Sequence, residues 1–467
     1  EEYLYAALRR PIASDTEMEE RERVITYLLE NTQERMYLQE ALAEIGKLER
    51  MSVYDHLELI QDMKPIGALP HILAGVCLVG ALIGCAFAPE FMVIASIAIM
   101  GGNIISYYQA KAKVDSYIRL FTFILHMVEQ CEGVARKSIP GLEKYQDQLK
   151  KQTSCFGKYR RFCFLVNGGS GMSGDIMDSL MDYIRILFHV DLIKMSTMIR
   201  EAKKYEQQLR IMYDTIGYLD TMLSTASCRI MYGEYCVPQL SHQANGKFAV
   251  TEMYHPLIPE GVRNSITAER SVLLTGSNAS GKSTFIKTVA LNAILAQTLH
   301  TVLAENYQAS WFCIASSMAL RDDILSQESY YIVEIRSLKR ILDLTRSSEL
   351  PVLCFIDEVL RGTNTVERIA ASSRILQAIA EQGGLCFAAT HDIELTYLLE
   401  KEYDNYHFEE QVEDDKVTFD YCLREGRACT RNAIRLLKML GYDEKIVDDA
   451  NERVALFLKS GNWVPSH

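Results

Sequence analysis

The stretch Ser271-Val-Leu-Leu-Thr-Gly276-Ser-Asn278-Ala-Ser-Gly281-Lys282-Ser283-Thr284 decides how this chain is read. A short apolar run of strand type ends at Thr275, a loop of the form Gly-x-x-x-x-Gly-Lys-Ser follows, and a helical stretch then runs to Leu299. In that setting the glycines let backbone amides turn inward around phosphate oxygens. Lys282 adds charge at the outer phosphates, the Ser283 hydroxyl can ligate Mg²⁺, and the N-terminus of the helix favours an anion. The pattern predicts a loop that grips a nucleoside triphosphate.

Further along, the apolar run Val352-Leu-Cys-Phe-Ile356 ends in Asp357-Glu358. A strand end beside the phosphate loop puts two adjacent carboxylates at the phosphates. Asp357 is then expected to hold Mg²⁺ and Glu358 to orient or deprotonate the attacking water. His391 closes the next strand-like run, Leu385-Cys-Phe-Ala-Ala389, where its side chain can reach the γ-phosphate. These runs and Phe248-Ala-Val-Thr251 alternate with helical stretches after Tyr232, which predicts an α/β domain.

The whole chain has 467 residues, enough for two or three domains. With 48% hydrophobic and 24% charged residues it has the composition of a protein folded nearly throughout. A formal net charge of −12 disfavours non-specific attraction to phosphate backbones, so any contact with nucleic acid needs a local basic patch. Arg9 with Arg10, Lys150 with Lys151, and Lys158 with Arg160 and Arg161 are candidates that equally suit solvated helix faces. Twelve cysteines are scattered without a Cys-x-x-Cys pair, which fits a reducing cytosol and no zinc site.

Upstream of the α/β region the pattern is helical. Residues 1–64 predict two or three amphipathic helices broken at Pro11. Residues 72–88 carry no charged side chain, Pro89 and Glu90 interrupt, and residues 91–108 are again mostly apolar, so an apolar helical hairpin is expected. Gly80 and Gly84 offer a close-packing face, Tyr107 and Tyr108 suit a membrane interface, and Lys64, Lys111 and Lys113 flank one side. Each arm is at the short limit for crossing a bilayer, so insertion and burial within a helical domain both stay open. Long helices resume from Val114 to about Arg229, with a hinge expected at residues 167–174.

Together these motifs resemble the MutS family of DNA mismatch-repair ATPases. The loop from Gly276 to Thr284 is similar to the family's Gly-Pro-Asn-x-x-Gly-Lys-Ser-Thr, and Asp357-Glu358-Val-Leu-Arg361-Gly362-Thr363-Asn364-Thr365 resembles its Asp-Glu-x-x-Arg-Gly-Thr-Ser-Thr. Ser329-Tyr-Tyr-Ile-Val-Glu334 resembles a segment whose serine reaches the γ-phosphate bound by the opposite subunit, and Ala389-Thr-His391 resembles the family's switch histidine. Tyr254-His255-Pro256 is similar to the family's lead-in to the phosphate loop, Leu4 to Pro11 to the start of its core helices, and Ile216 to Asp220 to its lever helix. There are departures. The mismatch-reading domain and its Phe-x-Glu wedge have no counterpart before residue 250, the apolar hairpin stands where levers would lead to a DNA clamp, and Gln327, Glu328 and Thr430 to Ile434 depart from the motifs around them.

The resemblance implies a multidomain chain: an all-α lever and core region with an apolar hairpin, then an α/β P-loop ATPase domain of the ABC class. The expected division is 1–66 core helices, 67–110 hairpin, 111–232 levers and 233–467 ATPase. The implied cofactors are ATP and Mg²⁺, with Gly276, Asn278, Gly281, Lys282, Ser283 and Thr284 binding nucleotide, Ser283 and Asp357 binding metal, and Glu358, His391 and Ser329 catalytic. The implied partners are a second copy through the ATPase heads and DNA. The alternative is a membrane-anchored mechanical ATPase acting on protein or lipid, its head in the cytoplasm and residues 72–108 in the cell membrane.

Overall fold

The computed structural model describes residues 2–48, 52–63, 67–160, 176–243, 246–258, 260–277, 280–318, 330–360, 363–413, 416–428, 434, 437 and 441–461. The expected hinge at 167–174 lies outside them. The chain divides into two compact units, one of Glu1–Ala6 with Glu22–Cys228 and one of Ala7–Arg21 with Arg229–His467.

The first segment folds into four helices rather than two or three: α1 (Glu2–Leu8), α2 (Asp15–Glu30), α3 (Thr32–Ile45) and α4 (Val53–Asp62). The extra break is the single residue Asn31, too short to show in hydrophobic spacing. Ser52 starts α4 by accepting the Tyr54 amide at 3.1 Å. The hairpin follows as α5 (Ala68–Gly84) and α6 (Pro89–Arg136), with proline in the first turn of α6, where no amide donor is needed. The second arm continues unbroken to Arg136, so the boundary expected near residue 110 falls inside one helix. Gly84 brings the arms together, because a Cβ there would lie 3.0 Å from Met92 Sδ, whereas Gly80 faces open space. Tyr107 is buried and donates to Asp191 Oδ2 at 2.7 Å, leaving Tyr108 as the exposed member of the pair.

Next come α7 (Glu143–Thr153), α8 (Gly157–Arg160), α9 (Ile176–Phe188), α10 (Val190–Lys204) and α11 (Glu206–Tyr232), so this region has more breaks than the long helices expected. Val24, Leu28, Leu38, Leu57, Phe121, Ile124, Leu192, Leu209 and Leu219 meet in one core, each from the apolar stripe of its helix.

The second unit is built on a six-stranded sheet. Its strands are β4 (Ser271–Thr275), β6 (Cys313–Ser317), β7 (Val352–Asp357), β8 (Leu385–Ala389), β9 (Tyr403–His407) and β12 (Arg424–Glu425), in the order β12-β9-β4-β8-β7-β6 and parallel except for β12. Sequence alone identified only β4, β7 and β8 of these. Their side chains alternate between two cores, as a strand's period of two requires. Val272, Leu274, Phe355 and Phe387 point to one side with Phe285, Ile286 and Val289 of α12 (Lys282–Leu299). Leu273, Cys354, Ile356 and Cys386 point to the other, with Leu338 of α13 (Tyr330–Ser347), Leu376 of α14 (Thr365–Glu381) and Leu395 of α15 (Ile393–Leu398). Burial on both faces explains why these strands read as continuous apolar runs.

A smaller sheet of β1 (Gln239–Ser241), β5 (Asn306–Ser310), β2 (Phe248–Met253) and β3 (Asn264–Ala268) joins the first core, and β10 (Glu410–Glu413) pairs with β11 (Lys416–Phe419) as a hairpin. The last described helix is α16 (Glu444–Ser460), capped by Asp443.

Candidate nucleotide site

Strand β4 is buried along its whole length between β8 and β9, so the loop that follows leaves the sheet from a fixed point. Glycine is required at two places in that loop. Gly276 has φ 142°, and a Cβ there would lie 2.8 Å from the Phe408 carbonyl; Gly281 has φ 106° with the Tyr421 ring 3.1 Å from its Cβ position. Lys282 opens α12 and is only 5% exposed. Its ammonium donates to the carbonyls of Gly276 at 2.7 Å and Ser277 at 2.6 Å, which hold it over the loop. Ser283 is half-buried and Thr284 exposed in the same helical turn; Asn278 lies outside the described residues.

Asp357 ends β7 and pairs with Ala389 of β8. Strand β8 therefore lies between the acidic strand and β4. The C-terminal ends of β4, β8 and β7 nevertheless emerge on one edge of the parallel sheet, where such folds place ligands. Asp357 Oδ1 is buried with no hydrogen-bond partner among the described residues. Glu358 follows in the left-handed region at φ 59°, its amide donating to Ala389 O at 3.1 Å and its Oε1 lying 3.0 Å from His391 Nε2. The structure thus brings Glu358 and His391 into contact and keeps Asp357 and Glu358 close enough to Lys282 to raise its proton affinity. Ser329, Gln327, Glu328, Arg361, Gly362 and residues 430–433 lie outside the described residues.

Three supports were missed from sequence. Glu334 Oε1 accepts the Leu360 amide at 2.5 Å, tying α13 to the turn after the acidic pair, where Leu360 also has a positive φ of 55°. Arg368 of α14 grips Asp392 with two hydrogen bonds, Nε at 2.8 Å and the NH2 nitrogen at 2.5 Å, and so fixes the residue next to His391. Glu410 is buried and accepts the Ser277 hydroxyl at 2.6 Å, linking β10 to the phosphate loop. Glu334 lies within the segment that follows Ser329 and Asp392 stands next to His391, so those motifs were the available signal for the first two supports, whereas nothing local marked Glu410.

The loop borders a cavity of 540 Å³. Gly281 to Thr284 and Glu358 line one part, and Met253, Ile258, Val262, Phe408 and Tyr421 give an apolar part suited to a flat base. Burial pulls the pKa of Lys282 down to about 8, against the opposing pull of Glu358, Asp357 and Glu410. The sign of its pH dependence follows. A bound phosphate would favour the charged form, so nucleotide binding at this site is expected to take up protons near pH 8, with affinity for ADP holding below that pH and falling as pH climbs above it. Calorimetry in buffers of different ionisation enthalpy reads the proton uptake directly. For folding the sign is opposite: the buried charge costs stability below about pH 8, and the cost fades as pH rises toward the ordinary lysine value.

With that geometry in place, comparison with known proteins is informative. The family model for MutS domain V matches residues 272–457, from the phosphate-loop strand into α16. The DNA mismatch repair protein MutS of Natronomonas pharaonis is 31% identical over 245 residues, which cover 51% of this chain and 28% of that protein. Its counterpart in Pseudothermotoga lettingae is 32% identical, over 51% of this chain and 30% of that protein. The MutS of Thermus thermophilus is 28% identical, over 53% and 30%. Over residues 272–457 the chain is similar to the MutS family. The match spans under a third of the length of these MutS relatives.

Proposed function

We propose that this chain is a MutS-family ATP-driven switch, working as a homodimer through ABC-class P-loop heads formed by residues 233–467, and acting on DNA in mismatch repair or recombination-related maintenance. The observation that carries it is the gathering of Lys282, Asp357, Glu358 and His391 at one edge of a parallel sheet, beside a cavity with an apolar part.

In this reading the amides of the loop and Lys282 bind the β- and γ-phosphates. The orphaned Asp357 Oδ1 and the Ser283 hydroxyl are hard oxygen donors that fit Mg²⁺, and they would hold it. The ion would neutralise charge on the phosphates. Glu358 positions the attacking water, His391 steadies the Glu358 carboxylate and turns toward the γ-phosphate, and Ser329 of each copy reaches the nucleotide bound by the other. Contacts to the γ-phosphate from both copies exist only in the closed pair, so hydrolysis removes what holds it shut.

Arg9, Arg10, Lys150 and Lys151 are exposed and available for phosphate contacts. The test is the ATPase rate of the purified chain with mismatched and branched duplexes at fixed salt. A several-fold change in rate is expected, together with ATP-dependent dimers in sedimentation. No affinity for ATP with Mg²⁺ would overturn the switch itself.

A second reading, in which the switch acts on a protein or lipid partner at a membrane, is favoured by the exposure of the apolar hairpin. An ATPase indifferent to every DNA tested would select it.

A further inference from the structure

The hairpin α5–α6 is built inside out for water. Between Ala68 and Ile105 the polar side chains His71, Ser96 and Asn103 are all buried. Each has a partner there: Asn103 donates to the carbonyls of Ala74 and Leu187 at 3.2 and 2.9 Å, His71 Nδ1 lies 2.8 Å from His189 Nδ1, and Ser96 Oγ lies 3.6 Å from Cys85 Sγ. The outward positions are apolar, with Leu69 and Ile94 each 70% exposed, Phe91 78% and Phe87 85%. Glu90, at the turn, is the one charged residue from Ala68 to Ala110. Within the apolar part of α6, Pro89–Ala112, only 17% of the most apolar stretch is buried.

We propose that this hairpin spans a lipid bilayer and anchors the chain to it. The proposal rests on the second reading above and deepens it by naming the bilayer itself as the partner.

Five observations choose lipid over a second protein copy. A helix that docks on protein has one apolar stripe and a polar back; here the apolar surface runs round both arms and no polar back exists. Buried polar groups paired only with each other or with carbonyls are what a hydrocarbon solvent demands. The 20 residues from Pro89 to Tyr108 rise about 30 Å, close to the thickness of a bilayer's hydrocarbon core, and the 17 of α5 rise about 25 Å. At the base of the hairpin, exposed Tyr108 and half-buried Lys111, whose ammonium lies 5.3 Å from the Tyr107 ring centre, form the aromatic and basic border that anionic headgroups recognise. An apolar groove of 480 Å³ along α5, lined by Ile72, Val79, Ile83, Phe188 and Ile193, suits an acyl chain.

The test is flotation of the full chain with vesicles of phosphatidylcholine and phosphatidylglycerol, compared with the double variant Ile94→Lys, Ile97→Lys. Both positions face outward, so the variant is expected to keep its fold and its ATPase rate while the floating fraction drops at least tenfold. Ile97→Trp supplies a second readout that keeps the surface apolar: its emission is expected to shift to the blue and to be quenched by lipids brominated near mid-chain. Equal flotation of the lysine variant, or no quenching of the tryptophan variant, overturns the proposal. So does self-association in lipid-free buffer that the lysine variant abolishes, because that assigns the surface to a second copy. An unchanged ATPase rate alongside lost flotation separates the anchor from the switch, which is judged by nucleotide binding alone.

Discussion

Replacing Glu358 with glutamine is expected to slow ATP turnover by about two to four orders of magnitude while nucleotide affinity stays within a few-fold of the parent. The substitution is isosteric, so the left-handed turn at φ 59° and the amide bond to Ala389 survive. A glutamine oxygen can still face His391 at the 3.0 Å the carboxylate now occupies. What disappears is the negative charge and with it the capacity to draw a proton from water. On the proposed switch, in which hydrolysis resets the closed pair, the variant is also expected to accumulate as dimer in ATP. Single-turnover kinetics on the purified chain reads the first effect and sedimentation the second. Turnover at the parent rate would take Glu358 out of the chemistry and leave it as a support for the loop.

Lys282→Ala is expected to weaken binding of ATP about a hundredfold, the loss of roughly 3 kcal/mol that charge-assisted contacts to two phosphates represent. The residue is 5% exposed and its ammonium is held by two loop carbonyls, so its removal also leaves Gly276 O and Ser277 O without that donor. The stability of the fold is expected to change little. Burying a charge with a pKa lowered to about 8 is itself unfavourable, and the alanine removes that penalty along with the two hydrogen bonds. Fluorescent-nucleotide titration and thermal unfolding together check the contrast. Binding at full strength would mean that the backbone of the loop carries the phosphates unaided.

The geometry of the loop was legible because everything it needs is contiguous: a buried strand, two glycines at positive φ and a lysine opening a helix all lie between residues 271 and 282. The acidic pair and His391 were legible for the same reason, each ending an apolar strand. What stayed hidden depends on distant chain meeting. Arg368 and Asp392 are ordinary helix-surface and turn residues until α14 is packed on β8, and Glu410 is an ordinary acid until β10 closes over Ser277. Strands β3, β5 and β9 were missed because Asn264-Ser-Ile-Thr-Ala, Asn306-Tyr-Gln-Ala-Ser and Tyr403-Asp-Asn-Tyr-His are mixed in polarity; pairing with neighbours, not local apolar character, makes them strands. The unbroken α6 shows the converse, since a change in polarity near residue 110 looked like a boundary and is only a change of surroundings along one helix.

Helix α12 begins with Lys282 and ends, 18 residues and about 27 Å later, at Leu299. Around that far end Arg229 donates to His300 O at 2.8 Å and to Thr301 Oγ1 at 2.9 Å, Arg21 donates to Thr298 O, and the Ile12 amide donates to Gln297 O at 2.9 Å. A rod pinned in this way ties Lys282 to the stretches of chain around Ile12, Arg21 and Arg229, so on the proposed switch a tilt at the Lys282 end would load those stretches.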